Sequence, residues 1–202
     1  PHDDGFAGRS SANKRASLGE ALAREGLDAA VLTQPDSIAW LLNVRGGDVD
    51  HTPLVLSFAI LDADGTVDWF VSPGKRSDAL AAHLGGGVEM RDPEAFAGAL
   101  DDLDGRRVLA APDSAAAWIF DRLEQAGAVV LRGSDPVTLS KAIKNETELA
   151  GTRAAHLRDG AALSRFLHWL SEAAPVGSVD EMSAASKLAE FRKSGEHFRD
   201  LS

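Results

Sequence analysis

Leu54-Val-Leu-Ser-Phe-Ala-Ile-Leu61 and Val67-Asp-Trp-Phe-Val71, joined by Asp62-Ala-Asp-Gly65, decide the fold. Both runs are built from aliphatic and aromatic residues, and Gly65 supplies the positive φ that a tight turn needs. The stretch therefore reads as a β-hairpin. Upstream, Asp28-Ala-Ala-Val-Leu-Thr33 is a short apolar run of the kind a buried strand needs. Before it, Ser10 or Ser11 caps a helix to about Arg24, with Gly26 as its stop. After it, Gln34-Pro35-Asp36 turns the chain into a short helix ending at Leu42. Downstream of the hairpin, helices at about 75–84, 93–103 and 114–126 alternate with strands at 88–91, 107–111 and 128–131. This order predicts an α/β fold: a mixed sheet with flanking helices on both faces, mixed because of the hairpin.

Residues 1–11 lack periodicity and read as a tail or linker, so the α/β domain is expected over 12–132. Arg132-Gly-Ser-Asp-Pro136 marks a boundary, and 137–202 carry only helical pattern. Val137–Ile143 forms a short helix, and Asn145 caps a long one running to Ala173. Ser178-Val-Asp-Glu181 matches a capping box that opens a last helix. Leu149, Leu163, Phe166, Leu167 and Leu170 give the long helix more apolar surface than water tolerates, with no sheet of its own to cover. Either these helices pack on the first domain or they open a domain whose remainder is absent; a second, truncated domain is the favoured expectation.

The chain has 202 residues, 44% hydrophobic and 26% charged, with a net charge of −10 and no cysteine. The apolar fraction excludes a disordered chain, and no apolar run reaches the roughly 20 residues of a membrane span. Without cysteine there is no disulfide framework and no thiolate ligand or nucleophile. The negative charge lies wholly in residues 1–136, which argues against nucleic acid as a partner. With no signal-peptide pattern at Pro1-His2-Asp3-Asp4, a cytoplasmic protein is expected, and the Ala- and Arg-rich composition suggests a bacterial source.

No catalytic or metal-ligating set emerges from spacing. His156 and His168 are separated by about 18 Å along one helix, too far to share a metal. Gly85-Gly86-Gly87 precedes a strand, the wrong order for a dinucleotide fingerprint. The four tryptophans sit in apolar sequence and read as core. What remains is the loop Asn43-Val-Arg-Gly-Gly-Asp-Val-Asp-His-Thr52. Two readings of it stand. Arg45, Asp48 and His51 line a substrate cleft, or an internal Arg45–Asp48 pair merely stiffens the loop.

Ser37-Ile-Ala-Trp-Leu-Leu-Asn-Val-Arg-Gly-Gly-Asp-Val-Asp-His-Thr-Pro-Leu54, continued by Leu56-Ser-Phe-Ala-Ile60, resembles the middle domain of the three-domain X-prolyl aminopeptidases (aminopeptidase P). Lys141 to Glu148, Arg153 to Gly160, Phe166 to Leu170, Glu181 to Arg192 and Phe198 to Ser202 are similar to the start of the same family's catalytic domain. The resemblance implies a creatinase N-terminal-like domain followed by helices of an incomplete pita-bread domain. It implies a parent enzyme that removes the N-terminal residue from peptides with proline in second position, using two divalent ions, manganese in the usual case. The family's metal ligands fall after the position matching Ser202, so the chain alone is expected to hold no metal and to be inactive. The family also implies a homodimer, and a cleft-facing role for Arg45, Asp48 and His51. A prolidase or creatinase-type hydrolase and a non-catalytic pita-bread homologue acting as a protein-binding module are the alternatives.

Overall fold

The computed structural model describes residues 1–198. Residues 199–202, part of the last resembling segment, lie outside it. The chain divides into two compact units, Pro1–Lys144 and the residues from Asn145 onward.

In the first unit the elements run α1 (Asp4–Ala7), α2 (Ser11–Arg24), β1 (Ala29–Leu32), α3 (Pro35–Leu42), β2 (Phe58–Asp62) and β3 (Val67–Phe70). They continue with α4 (Asp78–Leu84), β4 (Val88–Arg91), α5 (Phe96–Asp101), β5 (Arg107–Ala110), α6 (Ala117–Ala126), β6 (Val129–Arg132) and α7 (Val137–Ala142). The strands form a six-stranded sheet in the order β4-β3-β2-β1-β5-β6. β2 is antiparallel to β1 and β3, while the β1–β5, β5–β6 and β3–β4 pairs are parallel. The sheet is thus mixed because of the hairpin, as the sequence predicts, and its single reversed strand is the hairpin's first arm.

Side-chain alternation sorts the core into two layers. Ala30, Leu32, Leu61, Val67 and Trp69 face α2, α3 and α4 through Leu22, Ile38, Leu42, Leu80 and Leu84. Ala29, Val31, Ile60, Phe70 and Val108 face α5 and α6 through Phe96, Leu100, Ile119 and Leu123. Each fully buried Leu, Ile or Phe removes enough apolar surface from water to contribute roughly 1.5–3 kcal/mol. On the second face Phe96 stacks on Phe58 with ring centroids 4.7 Å apart and meets Phe70 edge-on at 5.0 Å. Gly65 takes φ +85° in the β2–β3 turn. Its carbonyl accepts from the buried Arg15 guanidinium at 2.7 Å, which joins α2 to that turn.

Three sequence expectations differ from what is observed here. Residues 1–11 are docked, not a tail: α1 forms, Ala7 is 2% exposed, and the His2 N–H donates to the Asn43 carbonyl at 2.7 Å. The expected boundary at 132–136 also falls later. Val137 is fully buried against the first sheet face, which keeps α7 in the first unit. Strand β2 begins at Phe58, because residues 54–56 turn instead toward their own loop.

The second unit contains α8 (Glu146–Ala173) and α9 (Glu181–Lys193), packed on each other. Asn145 caps α8 reciprocally with Glu148. The α9 capping box is Asp180 with Ser183, two residues beyond the expected pattern, because the Asp180 carboxylate reaches the Ser183 N–H at 2.7 Å. Arg192 grips Asp159 through two bonds of 2.6 and 3.2 Å, which joins α9 to α8.

Candidate functional site

Helix α3 ends at Asn43, which takes a left-handed φ of +50°. Pairing of Leu32 with Ala59 sets the start of β2 beside the end of β1. The loop between Asn43 and Phe58 therefore lies at the carboxyl ends of the parallel strands, where open α/β sheets place their ligand sites. Within it, residues 46–48 run against 53–54. The Gly46 N–H donates to the Pro53 carbonyl at 3.3 Å and the Asp48 N–H to the Leu54 carbonyl at 3.2 Å. The approach is close enough to demand glycine, since a Cβ on Gly46 would stand 2.8 Å from the Leu54 carbonyl oxygen and collide with Val55. Val49 and Thr52 bridge at the tip, and His51 between them takes φ +63°.

A cavity of about 210 Å³ opens between this loop and the connection from β3 to α4, with Val44, Arg45, Asp48, Trp69, Lys75 and Leu80 in its wall. Arg45 donates to the carbonyls of Val44 at 2.8 Å and Ala39 at 3.3 Å, settling its positive charge on the carboxyl end of α3. Asp48 forms an ion pair with Lys75 and accepts the Leu56 N–H at 2.7 Å. The hydrogen bond from Lys75 holds the Asp48 carboxyl below the ordinary Asp range, and the Leu56 N–H acts in the same direction. Trp69, 1% exposed, forms the floor and donates its indole N–H to Ser57 Oγ at 2.9 Å.

Of the three expected residues, the structure brings Arg45 and Asp48 to one cavity and leaves His51 at the loop tip, outside the cavity lining. The ion-pair partner seen for Asp48 is Lys75, not Arg45. Lys75 carried no local signal, since it lies on another element. Lys14 and Asn43 were likewise missed. Lys14, 1% exposed, donates to the Trp40 carbonyl at 3.0 Å and to Asn43 Oδ1 at 2.7 Å, with its ammonium 4.1 Å from the Trp40 ring centroid. Asn43 Nδ2 in turn donates to Asp4 at 3.1 Å and to the Arg9 carbonyl at 2.9 Å. The spacing of Lys14 four residues before Leu18 and eight before Leu22, on the buried face of α2, was its sequence signal.

Among the described residues no three His, Asp or Glu side chains converge as the ligands of a metal centre do. His156 and His168 are both exposed on α8. No described helix is long and apolar enough to cross a membrane.

Comparison with known proteins gives one family and a consistent set of relatives. The model of the creatinase/prolidase N-terminal domain matches residues 1–148. A probable Xaa-Pro aminopeptidase P from Sclerotinia sclerotiorum is 34% identical over 98% of this chain and 34% of its own length. Xaa-Pro aminopeptidase 1 from Dictyostelium discoideum is 32% identical over 99% of this chain and 32% of its own. The chain thus spans about a third of the curated relatives it matches. Among solved structures, the X-prolyl aminopeptidase from Caenorhabditis elegans, described as a cytosolic enzyme with a di-nuclear active site, superposes with a TM-score of 0.89 at 26% identity. It covers 98% of this chain and 33% of that one. An Xaa-Pro dipeptidase from Bacillus anthracis, 15% identical with a TM-score of 0.67, shares the fold.

Proposed function

Because the chain belongs to the creatinase/prolidase N-terminal domain family, we propose that it is the non-metal-bearing portion of an Xaa-Pro aminopeptidase. That enzyme would release the N-terminal residue from peptides with proline in second position. The observation that carries this reading is the match of nearly the whole chain, both units included, to proteins of that name. In this reading the loop from Asn43 to Phe58 forms a wall of the substrate cleft. Arg45 brings a permanent positive charge to it, Trp69 an apolar floor, and His51 an exposed imidazole at its tip. The divalent ions, manganese by family habit, belong to the part of the enzyme that this chain does not span. They would supply an activated water for attack on the scissile carbonyl. A cytoplasmic homodimer completes the proposal.

The test is release of the first residue from a short Xaa-Pro peptide. The 202-residue chain is expected to be silent with or without manganese. The longer polypeptide that includes it is expected to be active with the metal and inactive after chelation. Turnover by the chain alone, or failure of the longer protein to cleave before proline, overturns the reading.

A further inference from the structure

The cavity wall has a feature that cleft lining alone does not explain. The Asp48 side chain is only 19% exposed, and one oxygen, Oδ2, is engaged by both Lys75 and the Leu56 N–H. Its backbone N–H is spent on the Leu54 carbonyl. A carboxylate so engaged presents little to a peptide. Lys75, on the other side, stands on a turn that is itself anchored. Its N–H donates to the Ser72 carbonyl at 3.0 Å. The neighbouring Arg76 donates to the Val71 carbonyl at 2.8 Å and to Asp92 at 2.7 Å. Val71, just past the end of β3, is fully buried and donates its own N–H to the Arg91 carbonyl at 3.0 Å, so the turn is tied to the sheet.

We propose that Lys75 is a positioning residue: it latches the Asn43–Phe58 loop to the β3–α4 turn through Asp48, so that Asp48 holds the cleft wall instead of contacting the peptide. This rests on the reading of that loop as a substrate-facing wall. The latch lies in the cavity wall, since both of its residues belong to the lining. It fixes both arms of the loop at once, since Asp48 sits in one arm and Leu56 in the other. An isolated exposed ion pair contributes little, but this one has a second bond on the same oxygen and an anchored partner.

Amide exchange in the 202-residue chain tests it. Lys75→Met is expected to speed exchange at Asp48 and Leu56 by about fivefold, leaving amides of β1 and β5 unchanged. Asp48→Asn is expected to do the same, and Lys75→Met added to Asp48→Asn to add nothing. Unchanged exchange in Lys75→Met, or full additivity of the two substitutions, overturns the latch. In the longer enzyme, Lys75→Met is expected to raise KM for an Xaa-Pro peptide with kcat little altered. A loosened loop with KM unmoved leaves the latch standing and overturns the loop as a substrate wall.

Discussion

Asn43 has to satisfy two demands. It closes α3 in the left-handed region, which Asn enters more readily than most residues, and its amide connects Lys14, Asp4 and the Arg9 carbonyl. Asn43→Ala removes the buried bonds and strains the backbone, so it is expected to cost about 2–3 kcal/mol. Asn43→Gly keeps the backbone and loses only the bonds, so part of that loss should return. Urea unfolding of the two variants separates the contributions. Asp48 gives a second prediction. Its folded pKa is depressed, so its contribution is present above the ordinary Asp value of about 3.9 and is lost as pH falls through the lower folded value. The Leu56 amide shift should therefore titrate below that ordinary value, and in Lys75→Met the midpoint should move up toward it.

At this scale the sequence was informative about kind and blind about partners. The loop holding Arg45 and Asp48 stood out because it concentrates polar groups beside two adjacent glycines, and both residues line one cavity. The Asp48 partner was not legible, because Lys75 meets it only through the packing of the loop on the β3–α4 turn. The same reason hid the docking of residues 1–9. Ala7 is their one buried apolar residue, and their hydrogen bonds run to Asn43, far along the chain.

Among the elements, the strands and helices of the first unit were almost all legible, since apolar runs and turn residues alternate cleanly. The failure at residues 54–57 is instructive. Leu54, Val55 and Leu56 have strand composition, but their backbone pairs with 46–48 and with Asp48 Oδ2, so β2 starts late. That local pairing depends on Gly46. Gly46→Ala is expected to destabilise the loop by about 1–2 kcal/mol through overlap with Leu54 and Val55. Gly47→Ala, with nothing within 4 Å of its new methyl group, is expected to be close to neutral. Thermal unfolding of the pair distinguishes contact from mere glycine content.

For the whole molecule, the two units differ in how much core they own. The first buries both sheet faces. Among the described residues of the second, Ala162 and Ala189 are the buried apolar ones, while Leu157, Leu167, Val176 and Met182 are more than half exposed. A pair of helices with so little buried surface is marginal in water. Residues 145–202 expressed alone are therefore expected to show weak, concentration-dependent helicity by circular dichroism, while residues 1–144 unfold cooperatively. The boundary expected at 132–136 was misplaced because loop composition marks where an element ends, not which core the next helix joins. Val137 settles that only through its contacts.

The reversed strand also bears on how the chain acquires its structure. β2 pairs Ala59 with Trp69, a few positions on, whereas the β1–β5 seam pairs Ala29 with Val108. Closing the second contact costs far more chain entropy than the first. The β2–β3 hairpin should then form early, and the seam should close last. Mutations in the hairpin would slow folding, and those along the seam would chiefly hasten unfolding.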